Sequence, residues 1–84
     1  MAKSIYRMEG AIFSNILTEA RERAGLSQAR LAERLGCPQS RIARIETNQR
    51  RLDFVECYEY CAALGMSLSD LVAEFERRIA LRGP

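Results

Sequence analysis

Apolar side chains recur every three or four residues along almost the whole chain, and hardly any stretch alternates apolar with polar at period two. Spacing near 3.6 residues gathers the apolar set on one face of a helix, so an all-α fold is expected. Five helices follow from the pattern. The first, about 9–24, carries Phe13, Ile16, Leu17, Ala20 and Ala24 on its inner stripe and ends at Gly25. The second, 28–35, starts after Ser27, a side chain able to accept from a free first-turn amide, and buries Leu31, Ala32 and Leu35. The third, 39–47, has Pro38 in or just before its first turn, buries Ile42 and Ile45, and ends where Asn48 can turn left-handed.

The fourth, 54–64, opens on Asp53 with Glu56 three residues on, a capping-box pattern with Asp in the usual Ser or Thr place. It carries Phe54, Cys57, Tyr60, Cys61 and Leu64 and stops at Gly65. The fifth, 68–80, follows Ser67, has Asp70 in the equivalent capping place, and buries Leu68, Leu71, Val72 and Phe75, with Ile79 extending the stripe. No repeat, linker or low-complexity stretch divides the 84 residues, so one domain over 1–84 is expected.

Composition removes several function classes. No apolar run approaches the roughly 20 residues of a membrane span. The start, Met1 to Arg7, has no long apolar stretch behind it and does not read as a signal peptide, so a cytoplasmic protein is expected. There is no His, and Cys37, Cys57 and Cys61 form no Cys-x-x-Cys pair, so neither a metal nor a cofactor is expected. Nucleotide loops, paired-carboxylate patterns and activated nucleophiles are missing as well, which disfavours an enzyme. Net charge is only +2, but its distribution is uneven. Residues 19–51 hold eight Arg against four Glu, and residues 52–84 hold three Arg against six acids. A basic middle and an acidic second half point to one phosphate-facing surface and another for something else.

The stretch Gly25 to Thr47 carries the functional signal. Two short helices share a small core, Gly36 allows a tight turn between them, and the second presents a polar, Arg-bearing face, a shape that fits a DNA major groove. At 100° per residue, Ile42 and Ile45 point inward while Ser40, Ala43, Arg44 and Thr47 point away and Gln39 lies at the N-terminal edge. That face has base-reading chemistry. Arg44 can bond guanine O6 and N7, Gln39 adenine N6 and N7, Ser40 either kind of edge, and Ala43 can touch a thymine methyl. Phosphate contacts are assigned to Gln28 at the start of the second helix, where free amides and the dipole favour an anion, and to Arg41, Gln49, Arg50 and Arg51.

These residues resemble the lambda-repressor-like, or Xre, helix-turn-helix family. The motif runs from Gln28 to Thr47, with a small residue at the fifth place (Ala32), glycine at the ninth (Gly36) and a branched apolar residue at the fifteenth (Ile42). The flanking Gly25-Leu26-Ser27-Gln28 and Ala63-Leu64-Gly65-Met66-Ser67-Leu68 are similar to the family's phrases, and the likeness covers about residues 12–76. It implies a compact five-helix domain and a repressor or activator, usually a homodimer on a two-fold-symmetric operator. It also implies that Gln28 bonds a phosphate while steadying the third helix, and that Arg21 and Glu46 form a largely buried ion pair. Three departures stand out: Pro38 in place of a Ser or Thr cap, Asn48 in place of glycine, and, as an expectation, no ligand-binding or cleavage domain after the motif.

A repressor of double-stranded DNA with a palindromic operator, associated with the nucleoid through that DNA, is therefore the expected protein. A homodimer is expected to use the surplus apolar stripe Val55, Tyr58 and Ala62 with Ile79 and Leu81, helped by Ile5, Tyr6 and Met8. The rival reading is an antitoxin or antiactivator that uses the same fold to mask a protein partner. Acidic or bulky apolar residues on the third helix would favour that rival; Gln, Ser, Ala and Arg favour DNA.

Overall fold

The computed structural model describes the backbone of residues 2–82 and the side chains of residues 8–82. Five helices succeed one another: α1 (Ala2–Arg23), α2 (Gln28–Leu35), α3 (Gln39–Glu46), α4 (Phe54–Leu64) and α5 (Leu68–Arg82). α2 and α4 match their expected limits. α1 begins seven residues earlier than the expected Glu9, because no residue from Ala2 to Met8 breaks a helix and Gly10 is tolerated inside one. Gly10 has a packing reason: a Cβ there would lie 2.6 Å from Asn48 Oδ1, so its absence lets the end of α3 approach α1. The side chains of Ile5 and Tyr6 lie outside the described residues.

The helix ends show how the chain turns so sharply. Gly36 has φ +68°, its N–H donates to Glu33 O at 3.2 Å, and the next N–H, of Cys37, reaches back to Ala32 O at 3.0 Å. Both orphan carbonyls are thus satisfied within the turn, the left-handed ending that glycine adopts without strain. Asn48 does the same after α3 with φ 61°, Asn48 N–H donating to Ile45 O and Gln49 N–H to Arg44 O. Asn is the residue besides glycine that visits this region most readily, so the departure from the family's glycine keeps the geometry. The Asp53–Glu56 capping box forms in full: Glu56 N–H donates to Asp53 Oδ1 at 2.7 Å, and Asp53 N–H to Glu56 Oε1 at 2.9 Å.

α1 packs on α3 and α5, α2 on α3 and α4, and α4 on α5. Between them lies a core of Ile16, Leu17, Leu31, Ala32, Ile42, Ile45, Tyr60, Cys61, Leu64 and Leu71, with Ala20 and Leu26 at its edge. Ser14 is buried and anchors α1 to α3 by donating its hydroxyl to Ile45 O at 2.8 Å. Phe13 and Phe75 meet edge to face, centroids 6.4 Å apart, where α1 crosses α5. On the same crossing Arg78 bridges Glu19 and Glu74, each at 2.6 Å.

Three residues expected inside lie outside. Ala24 follows the last turn of α1 and is exposed. Phe54 is 73% exposed and Val72 46%. At the start of α4 the core contacts come from Leu52, before the cap, and Cys57, the two positions of a hydrophobic staple, while Phe54 lines a surface hollow beside them.

Candidate nucleic-acid interface

α2 and α3 pack against each other and present the motif together. Ser27 caps α2 by accepting from Arg30 N–H at 3.1 Å, and the Gly36 turn leads into α3. Pro38 stands at the N-cap of α3 with extended backbone and supplies no side-chain acceptor. Arg41 N–H bonds back to Pro38 O at 3.1 Å, and no side chain caps the start of α3, where the helix dipole favours an anion.

On α3, Ile42 and Ile45 are buried, and Gln39, Ser40, Arg41, Arg44 and Thr47 are exposed. Ala43, expected to point fully outward, is half-buried. The Arg44 side chain makes no ion pair or hydrogen bond among the described residues, which leaves its donors available. Thr47 is turned back, its hydroxyl donating to Ala43 O at 2.9 Å.

Beneath this face runs a chain of polar contacts. Arg21 on α1 donates to Glu46 through Nε at 2.6 Å and a second guanidinium nitrogen at 3.1 Å, and a third nitrogen donates to Leu26 O at 2.7 Å. The two side chains are 12% and 5% exposed. The hydrogen bond to Glu46 holds the Arg21 guanidinium above its ordinary pKa, against the opposing pull of burial. Glu46 also accepts from Gln28 Nε2 at 2.9 Å, and Gln28 Oε1 accepts from Gln39 Nε2 at 3.4 Å. So α1, α2 and α3 are tied in series, from a buried ion pair to the first side chain of the outward face. The Gln28–Glu46 bond has no signature in spacing, since the partners lie 18 residues apart on different helices.

The other residues assigned to phosphate differ in their engagement. Arg41 and Gln49 are exposed. Arg50 is half-buried and held by Glu56, with N–O distances of 3.1 and 3.5 Å, and also donates to Arg51 O at 2.8 Å. These contacts with Arg50, then the Asp53 amide, pull the Glu56 carboxyl below its ordinary pKa. Arg51 is exposed beside it. Arg34, at the far end of α2, donates to Ala63 O at 3.0 Å and secures the motif to the end of α4.

Of the stripe assigned to self-association, Val55, Tyr58, Ala62 and Leu81 are exposed and Ile79 is half-buried. Sequence reasoning missed Phe54 and Val72 as surface residues. No helix of the described residues is long and apolar enough to cross a membrane, and no metal-ligating cluster is present among them.

A family model described as helix-turn-helix matches residues 17–71. Among solved structures, an XRE-family like protein from Pseudomonas syringae pv. tomato str. DC3000 is similar at 35% identity and a TM-score of 0.83, covering 92% of this chain and 94% of that one. No curated protein matches.

Proposed function

The chain belongs to the XRE family of helix-turn-helix DNA-binding regulators, and from that membership we propose that it is a repressor whose single domain reads an operator with α3. The observation that carries this reading is the outward face of α3: Gln39, Ser40 and Arg44 exposed together, with Gln39 braced through Gln28 to the buried Arg21–Glu46 pair. Rigid positioning matters because a bidentate base contact discriminates only if its donors are held in plane with the base edge. Arg44 is assigned to guanine, Gln39 to adenine, Ser40 to a neighbouring edge and Ala43 to close approach.

Arg41, Gln49, Arg50 and Arg51 are assigned to the flanking phosphates, with the uncapped start of α3 as an additional anion site. Gln28 keeps its phosphate assignment through the amide hydrogen not given to Glu46. These contacts set position without reading sequence. A homodimer places two copies of α3 in successive major grooves, about 34–36 Å apart, on a palindromic operator. Such a protein works in the cytoplasm, on the nucleoid.

A selection against random duplex DNA tests the reading. It is expected to enrich a palindrome with half-site centres about one helical turn apart. Failure to enrich any sequence, with retained binding to a protein partner, would favour the masking role instead.

A further inference from the structure

The Glu56 carboxylate divides between two partners. Its Oε1 accepts from Asp53 N–H at 2.9 Å and closes the cap of α4, while its Oε2 accepts from Arg50 at 3.1 Å. The cap alone needs only an acceptor, which Gln supplies as well as Glu, so the charge serves the second partner. Arg50 sits on a loop tied to the reading helix: the N–H groups of Gln49 and Arg50 both donate to Arg44 O, at 2.8 and 3.2 Å. Arg41 lines a small hollow with Glu56 and adds its charge through space. Glu56 is therefore an acid set among cations assigned to phosphate. Arg41 and Arg44 make no ion pair among the described residues, whereas Arg50 does.

We propose that Glu56 is a counter-charge that a DNA phosphate must displace from Arg50, and that it thereby sets how tightly the protein holds duplex of any sequence. The inference rests on the DNA-binding reading above and adds a residue to it. Affinity for random duplex comes from cations that meet phosphates and release counterions. A cation already neutralised by a carboxylate contributes less, because the phosphate gains Arg50 only as Glu56 loses it, and the bared carboxylate then repels the phosphates. The exchange is feasible because the two side chains are 31% and 28% exposed, and a pair so open to water is weak. The Arg21–Glu46 pair is too deeply covered to exchange in this way. The cap keeps the Glu56 carboxylate in place once Arg50 has left, so the pair re-forms when the DNA is released.

Fluorescence anisotropy with a labelled random duplex over a salt series tests this on wild type, Glu56→Gln, Arg50→Gln and the double change, with circular dichroism as a check on folding. In Glu56→Gln the amide oxygen keeps the contact with the Asp53 amide, while a donor nitrogen replaces the oxygen that accepted from Arg50, so helix content should be unchanged. Glu56→Gln is expected to bind about three- to tenfold more tightly near 0.1 M salt, with a salt slope steeper by about one. In the Arg50→Gln background the same change should have almost no effect. On the wild type itself, the nuclear magnetic resonance signal of the Glu56 carboxyl carbon should shift as duplex is added and Arg50 leaves. An equal gain in both backgrounds would mean that Glu56 acts as a general charge and not through Arg50. No gain with folding intact, or an unmoved carboxyl resonance, would mean that the pair only braces the loop. Each of these results overturns the proposal and leaves DNA binding standing. A wild type that binds no duplex even at low salt overturns both.

Discussion

Removing Glu46 should cost more stability than any other single polar change in the motif. Its carboxylate is 5% exposed and accepts from Arg21 at 2.6 and 3.1 Å and from Gln28 at 2.9 Å. In Glu46→Ala the Arg21 guanidinium stays 88% covered by its surroundings or must move, with the Leu26 carbonyl as its one remaining hydrogen-bond partner among the described residues. Breaking a buried ion pair from one side typically costs about 3–5 kcal/mol, because the remaining charge is stranded. The pair lies one layer below solvent in a small domain, so the lower end, about 3 kcal/mol, is expected. At roughly 4–8 °C per kcal/mol for a domain of this size, the Tm should fall by about 12–24 °C. Thermal and urea unfolding followed by circular dichroism measure it. The double change Arg21→Leu with Glu46→Leu should be milder than Glu46→Ala, since no charge is left behind. A loss below about 1 kcal/mol for Glu46→Ala would mean that the pair behaves as a surface salt bridge, and the account of a braced α3 would fail.

Three further outcomes are expected. The Tyr60 hydroxyl is buried with no hydrogen-bond partner among the described residues, and burial followed by the nearby Glu46 carboxylate pushes its pKa well above the phenol range. Tyr60→Phe should therefore be neutral or stabilising by up to about 1 kcal/mol in urea unfolding, and a loss of that size would reveal a partner for the hydroxyl. Hydrogen bonds from Arg77 and then Arg78 lower Glu74 from 4.5 to about 2. A lowered folded-state pKa contributes stability that is present above the unfolded value and is lost as pH falls through the folded one, so Glu74→Gln should flatten the acid limb between pH 4.5 and 2. An unchanged limb would show that the α5 cluster does not hold in solution. Arg51→Ala should weaken binding to operator and random DNA alike and reduce the salt slope by about one, whereas a loss confined to the operator would make Arg51 a base reader.

Much of the fold could be read from local chemistry. Ser27, Gly36, Asp53 and Gly65 mark helix ends through their own side chains or backbone freedom, so α2 and α4 were legible to the residue. α1 was not, because nothing between Ala2 and Met8 signals a start, and α5 likewise runs two residues past its expected end to Arg82. Phe54 lies outside because periodicity names a stripe and not how far the core extends along it; the core contacts at the start of α4 come from Leu52 and Cys57. The outward set on α3 followed from angle alone, except that Ala43 is half-buried. The ion pair between Arg21 and Glu46 came only from the family resemblance, since 25 residues separate the partners. The link from Glu46 through Gln28 to Gln39 required the fold, which alone sets three helix ends within hydrogen-bonding reach.

The central claim is that α3 reads base edges through Arg44. Its most direct test is the random-DNA selection run in parallel with wild type and Arg44→Ala. Arg44 is exposed, so the substitution should leave the fold unchanged. Arg44→Ala is expected to lose about 1–3 kcal/mol on the wild-type site and to relax the choice at one base pair in each half-site, the one read as guanine, with the other positions kept. Full affinity with an unchanged selected sequence would contradict it.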